Sequence, residues 1–136
     1  MDSTMMMDMM KSMPADKMMG MDMMAMQECI EACSMVTMTA TMCADSDTGM
    51  DMAKCSSMCT NMADVAMTMM RMMMRPMGMD MMSMRAMLMA CMEMGKACSA
   101  ECMMHADMDE QCRMCAKACD AMVMACEKLM NSMAMA

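Results

Sequence analysis

The chain has 136 residues, of which 44 are methionine and 12 are cysteine, and it contains no Phe, Tyr or Trp. Its formal net charge is −8, and the acidic residues are spread along the chain, so no basic patch exists to neutralise the phosphates of a nucleic acid. The length fits one domain, and methionine must supply most of its core because other large apolar side chains are scarce.

The first predicted element is a methionine-rich segment over residues 1–17, with a short helix before Pro14. We interpret it as an N-terminal extension and expect part of it to be mobile. Charged residues such as Asp8 and Lys11 interrupt its apolar runs, so it resembles neither an export signal nor a membrane span. The sequence therefore predicts a cytoplasmic protein with no membrane partner. The alternative is an exported protein whose signal has been removed.

Three turn signals divide residues 18–136 into four predicted helices. The first turn is residues 45–49, where Thr48 and Asp51 resemble a capping box; the second contains Pro76; the third contains Asp107, which we expect to cap the last helix. The predicted helices cover roughly residues 18–44, 49–74, 79–104 and 108–133. Four helices of similar length joined by short turns predict an all-α fold, an antiparallel up-down-up-down four-helix bundle.

The cysteines recur at helical spacing within each predicted helix. Steps of three, four, seven and ten residues keep the thiols on one stripe, which would face the axis of the bundle. Intracellular cysteine clusters bind metal more often than they form disulfides. We therefore predict twelve metal ligands: Cys29, Cys33, Cys43, Cys55, Cys59, Cys91, Cys98, Cys102, Cys112, Cys115, Cys119 and Cys126. Further candidate ligands are Met62, Met122, Met104 and His105.

Sulfur donors in this number favour Cu(I), which is soft and accepts two or three sulfur ligands. Structural zinc usually uses paired Cys-x-x-Cys knuckles, and only Cys112 and Cys115 have that spacing. An iron–sulfur cluster on Cys112, Cys115 and Cys119 would leave most of the cysteines unexplained. With one histidine and no nucleophile–base motif, the chain is not expected to be an enzyme.

Several segments resemble the bacterial copper storage proteins, which are cysteine-rich four-helix bundles. The resemblance covers about residues 26–130 and is carried by residues 29–33, 63–65, 97–102 and 112–119, that is, Cys-Ile-Glu-Ala-Cys, Ala-Asp-Val, Ala-Cys-Ser-Ala-Glu-Cys and Cys-Arg-Met-Cys-Ala-Lys-Ala-Cys. It implies that the core cysteines bind many Cu(I) ions in thiolate-bridged sites. The positions that depart from the family's cysteine stripe are Val36, Ala40, Met62, Ala66, Leu88, Gly95 and Met122. These departures imply sparser sites assisted by thioethers.

Antiparallel connectivity places most cysteines at the same end as His105 and collects methionine at the other end. We expect copper to enter beside His105, where the resemblance also implies histidine and methionine at the mouth. We interpret the methionine-rich end as an apolar plug, with a second, weaker binding zone as the alternative. The apolar end of the predicted helix 49–74 indicates either contacts between copies of the chain or docking of the N-terminal segment.

The sequence leaves two alternatives to storage and buffering of Cu(I). One is a structural bundle, natural or engineered, in which methionine replaces leucine and the cysteines are incidental. The other is an oxidant sink that uses methionine sulfoxide and thiol oxidation. Nothing in the sequence identifies a copper donor or acceptor.

Overall fold

The computed structural model describes residues 3–12 and 22–133, and the described residues form helices and turns with no β-strand. The helices are α1 (Ser3–Lys11), α2 (Met23–Ser46), α3 (Ala53–Met73), α4 (Met81–Met103) and α5 (Glu110–Ser132). Short 3-10 helices, Met50–Met52 and Pro76–Gly78, precede α3 and α4. Helix α2 packs against α3 and α5, and α4 packs against the same two helices. The predicted all-α four-helix bundle is thus confirmed, with α2 to α5 as its four helices.

The N-terminal extension lies partly outside the described residues. Of the predicted segment 1–17, residues 3–12 are described; α1 packs against α2, and Met6 contacts the core of the bundle. We expected part of this segment to be mobile, and residues 13–17 of it lie outside the described residues. The predicted helix start at residue 18 lies outside them as well. The first bundle helix is therefore described only from Met23.

Aspartate side chains cap three of the four bundle helices. Asp22 accepts a hydrogen bond from the Ala25 amide at the start of α2 (2.8 Å). Asp80 accepts one from the Ser83 amide at the start of α4 (2.9 Å). Asp109 caps α5 in the same way. Each carboxylate satisfies an amide that would otherwise have no partner and lies at the positive end of the helix dipole.

Two predicted caps were wrong. Thr48 and Asp51 form no capping box, because the chain first passes through Gly49 (φ +91°) and a 3-10 turn, so α3 begins only at Ala53 and has no side-chain cap. Asp107 precedes the true cap by two residues. The turn after α4 stays hydrogen-bonded, with the Met108 amide donating to the His105 carbonyl, and this delays the start of α5.

The turns define two ends of the bundle. The His105 end contains the α2–α3 and α4–α5 turns, and the Pro76 end contains the α3–α4 turn, the start of α2 and the end of α5. Cysteine and methionine side chains make up most of the core between them. Among the described residues, the methionines that are fully buried, in addition to the cysteines, are Met26, Met62, Met69, Met73, Met84 and Met122. None of the described helices is long and apolar enough to cross a membrane.

Candidate metal centre

All twelve cysteines lie in the core, and each is at most 1% exposed. They are free thiols and come from all four bundle helices. Their spacing explains this arrangement, since steps of three, four and seven residues keep the thiols of each helix on the side that faces its neighbours. The predicted column of thiols therefore exists, and it divides into two clusters.

The large cluster occupies the His105 end. Its members are Cys43, Cys55, Cys59, Cys98, Cys102, Cys112, Cys115 and Cys119. Cys59 is its centre: the Cys59 Sγ lies 3.6 Å from that of Cys102, 3.8 Å from that of Cys98 and 3.9 Å from that of Cys115. Three helices thus bring four sulfurs together around one point.

The part of the large cluster nearest the turns has a carboxylate beside its thiols. Cys43 Sγ lies 3.7 Å from Cys112 Sγ, and Cys112 Sγ lies 3.9 Å from Cys55 Sγ. Asp47 Oδ1 lies 3.8 Å from Cys112 Sγ and 4.0 Å from Cys43 Sγ. The other oxygen of Asp47 is buried without a hydrogen-bond partner, and desolvation raises the pKa of this carboxyl. Asp47 is therefore a fourth candidate donor here.

Sequence reasoning missed Asp47 because it lies in a stretch of turn residues. The available signal was its position four residues after Cys43, which continues the cysteine stripe of α2 by one helical turn. The α2 helix runs to Ser46, two residues beyond the predicted end, so the stripe reaches the carboxylate.

The small cluster lies closer to the Pro76 end and consists of Cys29, Cys33, Cys91 and Cys126. Cys29 Sγ is 3.5 Å from Cys126 Sγ, and Cys91 lies against both Cys33 and Cys126. Met122 adds a thioether, because its Sδ is 3.6 Å from the Cys91 Sγ. Helices α2, α4 and α5 supply these groups.

Four groups of donors could each hold an ion, since the donor atoms of each group lie within 4.8 Å of one another. They are Cys43, Cys55, Cys59 and Cys102; Cys59, Cys98, Cys102 and Cys115; Cys43, Asp47, Cys55 and Cys112; and Cys29, Cys33 and Cys126. The first three share members. One thiolate could therefore bridge two ions, which suits a soft metal that accepts few ligands.

Burial keeps most of these thiols protonated. Desolvation raises the pKa of Cys112 to about 12 and raises the pKa values of Cys43 and Cys55 further. In the small cluster, the hydrogen bond with Cys126 raises the pKa of Cys91 to about 12. A thiolate without a counter-charge is costly in such surroundings, so these groups are neutral at pH 7 until a cation arrives.

Four thiols differ because hydrogen bonds with neighbouring thiols, on balance, lower their pKa values: Cys59, Cys98 and Cys102 in the large cluster and Cys126 in the small cluster. Hydrogen bonds from Cys102 and two further thiols lower the pKa of Cys98 to about 5. Those from Cys29 and two further thiols lower the pKa of Cys126 well below its ordinary range. Each cluster can therefore present a thiolate whose charge is stabilised by surrounding S–H groups.

The other candidate ligands lie in different surroundings. His105 Nε2 lies 3.0 Å from Glu101 Oε2, which accepts the hydrogen bond, and His105 belongs to none of the four donor groups among the described residues. Glu101 is 7% exposed and also lies 3.6 Å from the Lys54 amine. Met104, at the end of α4, is 75% exposed. Met62 is fully buried, like Met122.

The comparisons with known proteins show which family the chain resembles. Residues 16–131 match the family described as copper storage protein. The structure of the copper storage protein Ccsp from Streptomyces lividans loaded with 10 copper equivalents is 36% identical, covers 93% of this chain and 98% of its own, and has a TM-score of 0.88.

Two further structures from Streptomyces lividans are similar. A Ccsp variant with one histidine replaced by alanine is 37% identical, covers 83% of this chain and 98% of its own, and has a TM-score of 0.80. A structure of a cytosolic copper storage protein with five coppers is 37% identical, covers 79% of this chain and 92% of its own, and has a TM-score of 0.76. The search of curated proteins found no match.

Proposed function

The chain belongs to the copper storage protein family, and from that premise we propose that it stores and buffers several ions as Cu(I), held between the cysteines of the two clusters. The observation that carries this is the donor set itself: twelve buried free thiols, with the large cluster forming three overlapping donor groups. A purely structural core has no need for thiols packed against thiols across four helices. The role is storage rather than catalysis.

The oxidation state follows from the donors. Thiolates and thioethers are soft ligands that select monovalent copper, and Cu(I) needs only two or three of them. Zinc would need four donors held in tetrahedral geometry for each ion. Shared members such as Cys59 and Cys102 allow more ions than separate zinc sites would, because one thiolate can bridge two Cu(I) ions.

Charge balance explains how so many sulfurs can be loaded in a buried core. Cys112 and Cys91, with pKa values raised to about 12, must lose their protons when they bind. Each Cu(I) that replaces a proton brings one positive charge, so the buried charge does not grow as ions accumulate. Met122 and Met62 place neutral thioethers in the core, which add sulfur atoms without adding negative charge.

We propose that copper enters at the His105 end. Thioethers are exposed around this opening: Met103 is 58%, Met104 is 75% and Met108 is 95% exposed. The Asp47 carboxylate lies next to the outermost thiols and would meet an incoming cation before the inner sulfurs do. If copper loading rates are unchanged when His105→Ala and Met104→Leu are combined, uptake at this end is contradicted.

The cellular setting is also a proposal. The similar Streptomyces lividans protein is described as cytosolic, and a reducing cytosol keeps twelve thiols free for metal. We therefore propose that this chain acts in the cytoplasm, exchanging copper with partners not yet identified. Contacts between copies of the chain stay a prediction.

An anaerobic titration tests the function. The fully reduced protein is titrated with Cu(I) against a strong chromogenic chelator, with Zn(II) in a parallel experiment. We expect tight uptake of several Cu(I) ions with thiolate charge-transfer absorbance, and weak zinc binding. Uptake of one ion or none would contradict storage and leave a methionine-packed bundle with structural cysteines.

A further inference from the structure

Between the large and small clusters, one helical turn of α4 and one of α5 contain no thiol. On α5, Met122 lies one helical turn from Cys119 of the large cluster and one turn from Cys126 of the small cluster. On α4, Gly95 occupies the equivalent place between the cysteines of the two clusters. A copper ion that moves from one cluster to the other along these helices must pass Met122 and Gly95.

The orientation of Met122 is specific. Its sulfur is turned towards the small cluster, with Sδ 3.6 Å from Cys91 Sγ. Its methyl group lies over Gly95, where an added Cβ would come within 2.8 Å of Met122 Cε and also within 2.8 Å of Val123 Cγ2. The methyl group therefore occupies space that any other residue at 95 would fill.

Gly95 needs such an explanation, because glycine in the interior of a helix is destabilising relative to alanine. The space left by the missing side chain of Gly95 accommodates the Met122 methyl group while the Met122 sulfur lies beside Cys91. Leucine also fills buried positions in this bundle, at Leu88 and Leu129, so filling of the core does not by itself require sulfur. The sulfur is the feature that packing alone does not require.

We propose that Met122 Sδ is a copper ligand, which forms with Cys91 a mixed thioether–thiolate site that links the large and small clusters. The inference rests on the proposed storage of Cu(I). Metal–sulfur bonds in zinc thiolates are about 2.3 Å long. Two sulfurs bound at that distance with an S–metal–S angle of about 120° lie about 4 Å apart. The observed 3.6 Å is close to that separation.

The step at this site is ligand exchange. Cys91 loses its thiol proton to solvent as its sulfur binds Cu(I), whereas Met122 donates a lone pair and releases nothing. No electron is transferred and copper stays monovalent. A neutral thioether holds Cu(I) less strongly than the thiolates on either side, so it suits a position through which ions pass.

Matched variants separate this role from packing. Met122→Leu keeps the apolar volume and removes the sulfur; Met122→Cys restores a soft donor; Met84→Leu makes the same change at a buried methionine of the Pro76 end, as the control. Each variant is loaded anaerobically, and both the Cu(I) bound and the rates of the successive loading phases are measured. We expect Met122→Leu to bind fewer ions and to slow its last phase by roughly tenfold or more. Met122→Cys should regain capacity, and Met84→Leu should match the wild type.

The outcomes distinguish failure of the linking site from failure of the proposed storage function. If Met122→Leu loads as fully and as fast as Met84→Leu, the linking site is overturned while storage stands. If the wild-type protein itself binds one ion or none, the proposed function fails. Should Met122→Leu not fold, copper anomalous diffraction from loaded wild-type crystals decides: a peak within bonding distance of Met122 Sδ is expected, and peaks only among cysteines would overturn the proposal.

Discussion

The His105 end and the Pro76 end of the bundle are built by the same four helices, but their cores contain different kinds of sulfur. At the His105 end the core consists of small, ionisable thiols such as Cys55 and Cys102. At the Pro76 end, beyond the small cluster, it consists mainly of long thioethers, including Met26, Met73 and Met84. Thiols bind a cation by losing a proton, whereas thioethers stay neutral and fill volume. The proposed function therefore assigns metal binding to the thiols and stabilisation of the fold to the methionines.

The largest expected effect comes from breaking the centre of the large cluster. Cys59 and Cys102 both belong to two of the overlapping donor groups, so Cys59→Ser with Cys102→Ser disrupts both four-thiol groups at once. We expect roughly half of the copper capacity to be lost, because serine is not a soft ligand. Competition with a Cu(I) chelator measures this.

Cys29→Ser combined with Cys126→Ser is the matched control for that variant. It removes two thiols of equal burial that belong to a single donor group, so a smaller loss of copper is expected. Equal losses from the two variants would show that the two clusters do not load separately.

Truncation in the methionine core should act in the opposite way. Met73 is fully buried at the Pro76 end, and Met73→Ala leaves a cavity there. We expect the free energy of unfolding of the metal-free protein to fall by about 2–5 kcal/mol, measured by urea unfolding under reducing conditions. Copper capacity of the folded protein should not change. A loss of bound ions without a loss of stability would make the Pro76 end a binding zone.

The pH dependence of stability tests the state of the thiols. Folding raises the pKa of Cys112 from about 9 to about 12, so this thiol stabilises the metal-free protein fully below pH 9 and loses that contribution as pH rises to 12. Above pH 9, Cys98 is ionised in both states, since folding lowers its pKa to about 5. We therefore expect the metal-free protein to lose stability between pH 9 and 12.

The copper-loaded protein is the control for this pH series. Its thiols have already exchanged protons for metal, so its stability should change much less over the same range. Thermal unfolding of both forms measures the difference, and parallel curves would mean that the thiols are not the groups that copper engages.

The smallest effect is expected on the surface. Lys128 Nζ lies 3.0 Å from Glu28 Oε2, and both side chains are largely exposed. Because water and salt screen such a pair, Lys128→Gln should change the free energy of unfolding by about 1 kcal/mol or less and leave copper binding unchanged. A larger effect on either quantity would show that charge on the α2–α5 face matters to the clusters.

The fold was predictable because a single spacing governs the chain. Apolar residues recur at helical intervals, and Pro76 and the turn at residues 45–49 interrupt them, so four helices were predicted without any knowledge of their contacts. The same periodicity predicted that the cysteines share a stripe. Helix starts were less predictable, because the hydrogen-bonded turn at His105 delays α5, and such local bonding leaves no periodic signal.

Site details that depend on distances across helices were not predictable. Asp47 looked like a turn residue, and only the folded chain shows its carboxylate beside Cys43 and Cys112. The direction of the Met122 sulfur depends on the space left at Gly95, a contact between two helices that sequence spacing does not contain.

The central claim is that copper occupies the thiol clusters and not the methionine core, and a map of copper positions tests it most directly. Crystals of the protein loaded anaerobically to saturation would be measured on both sides of the copper absorption edge. The account predicts anomalous peaks along the column of cysteines from Cys43 to Cys126 and none among Met26, Met73 and Met84. Peaks at those methionines, with the thiol clusters unoccupied, would contradict it.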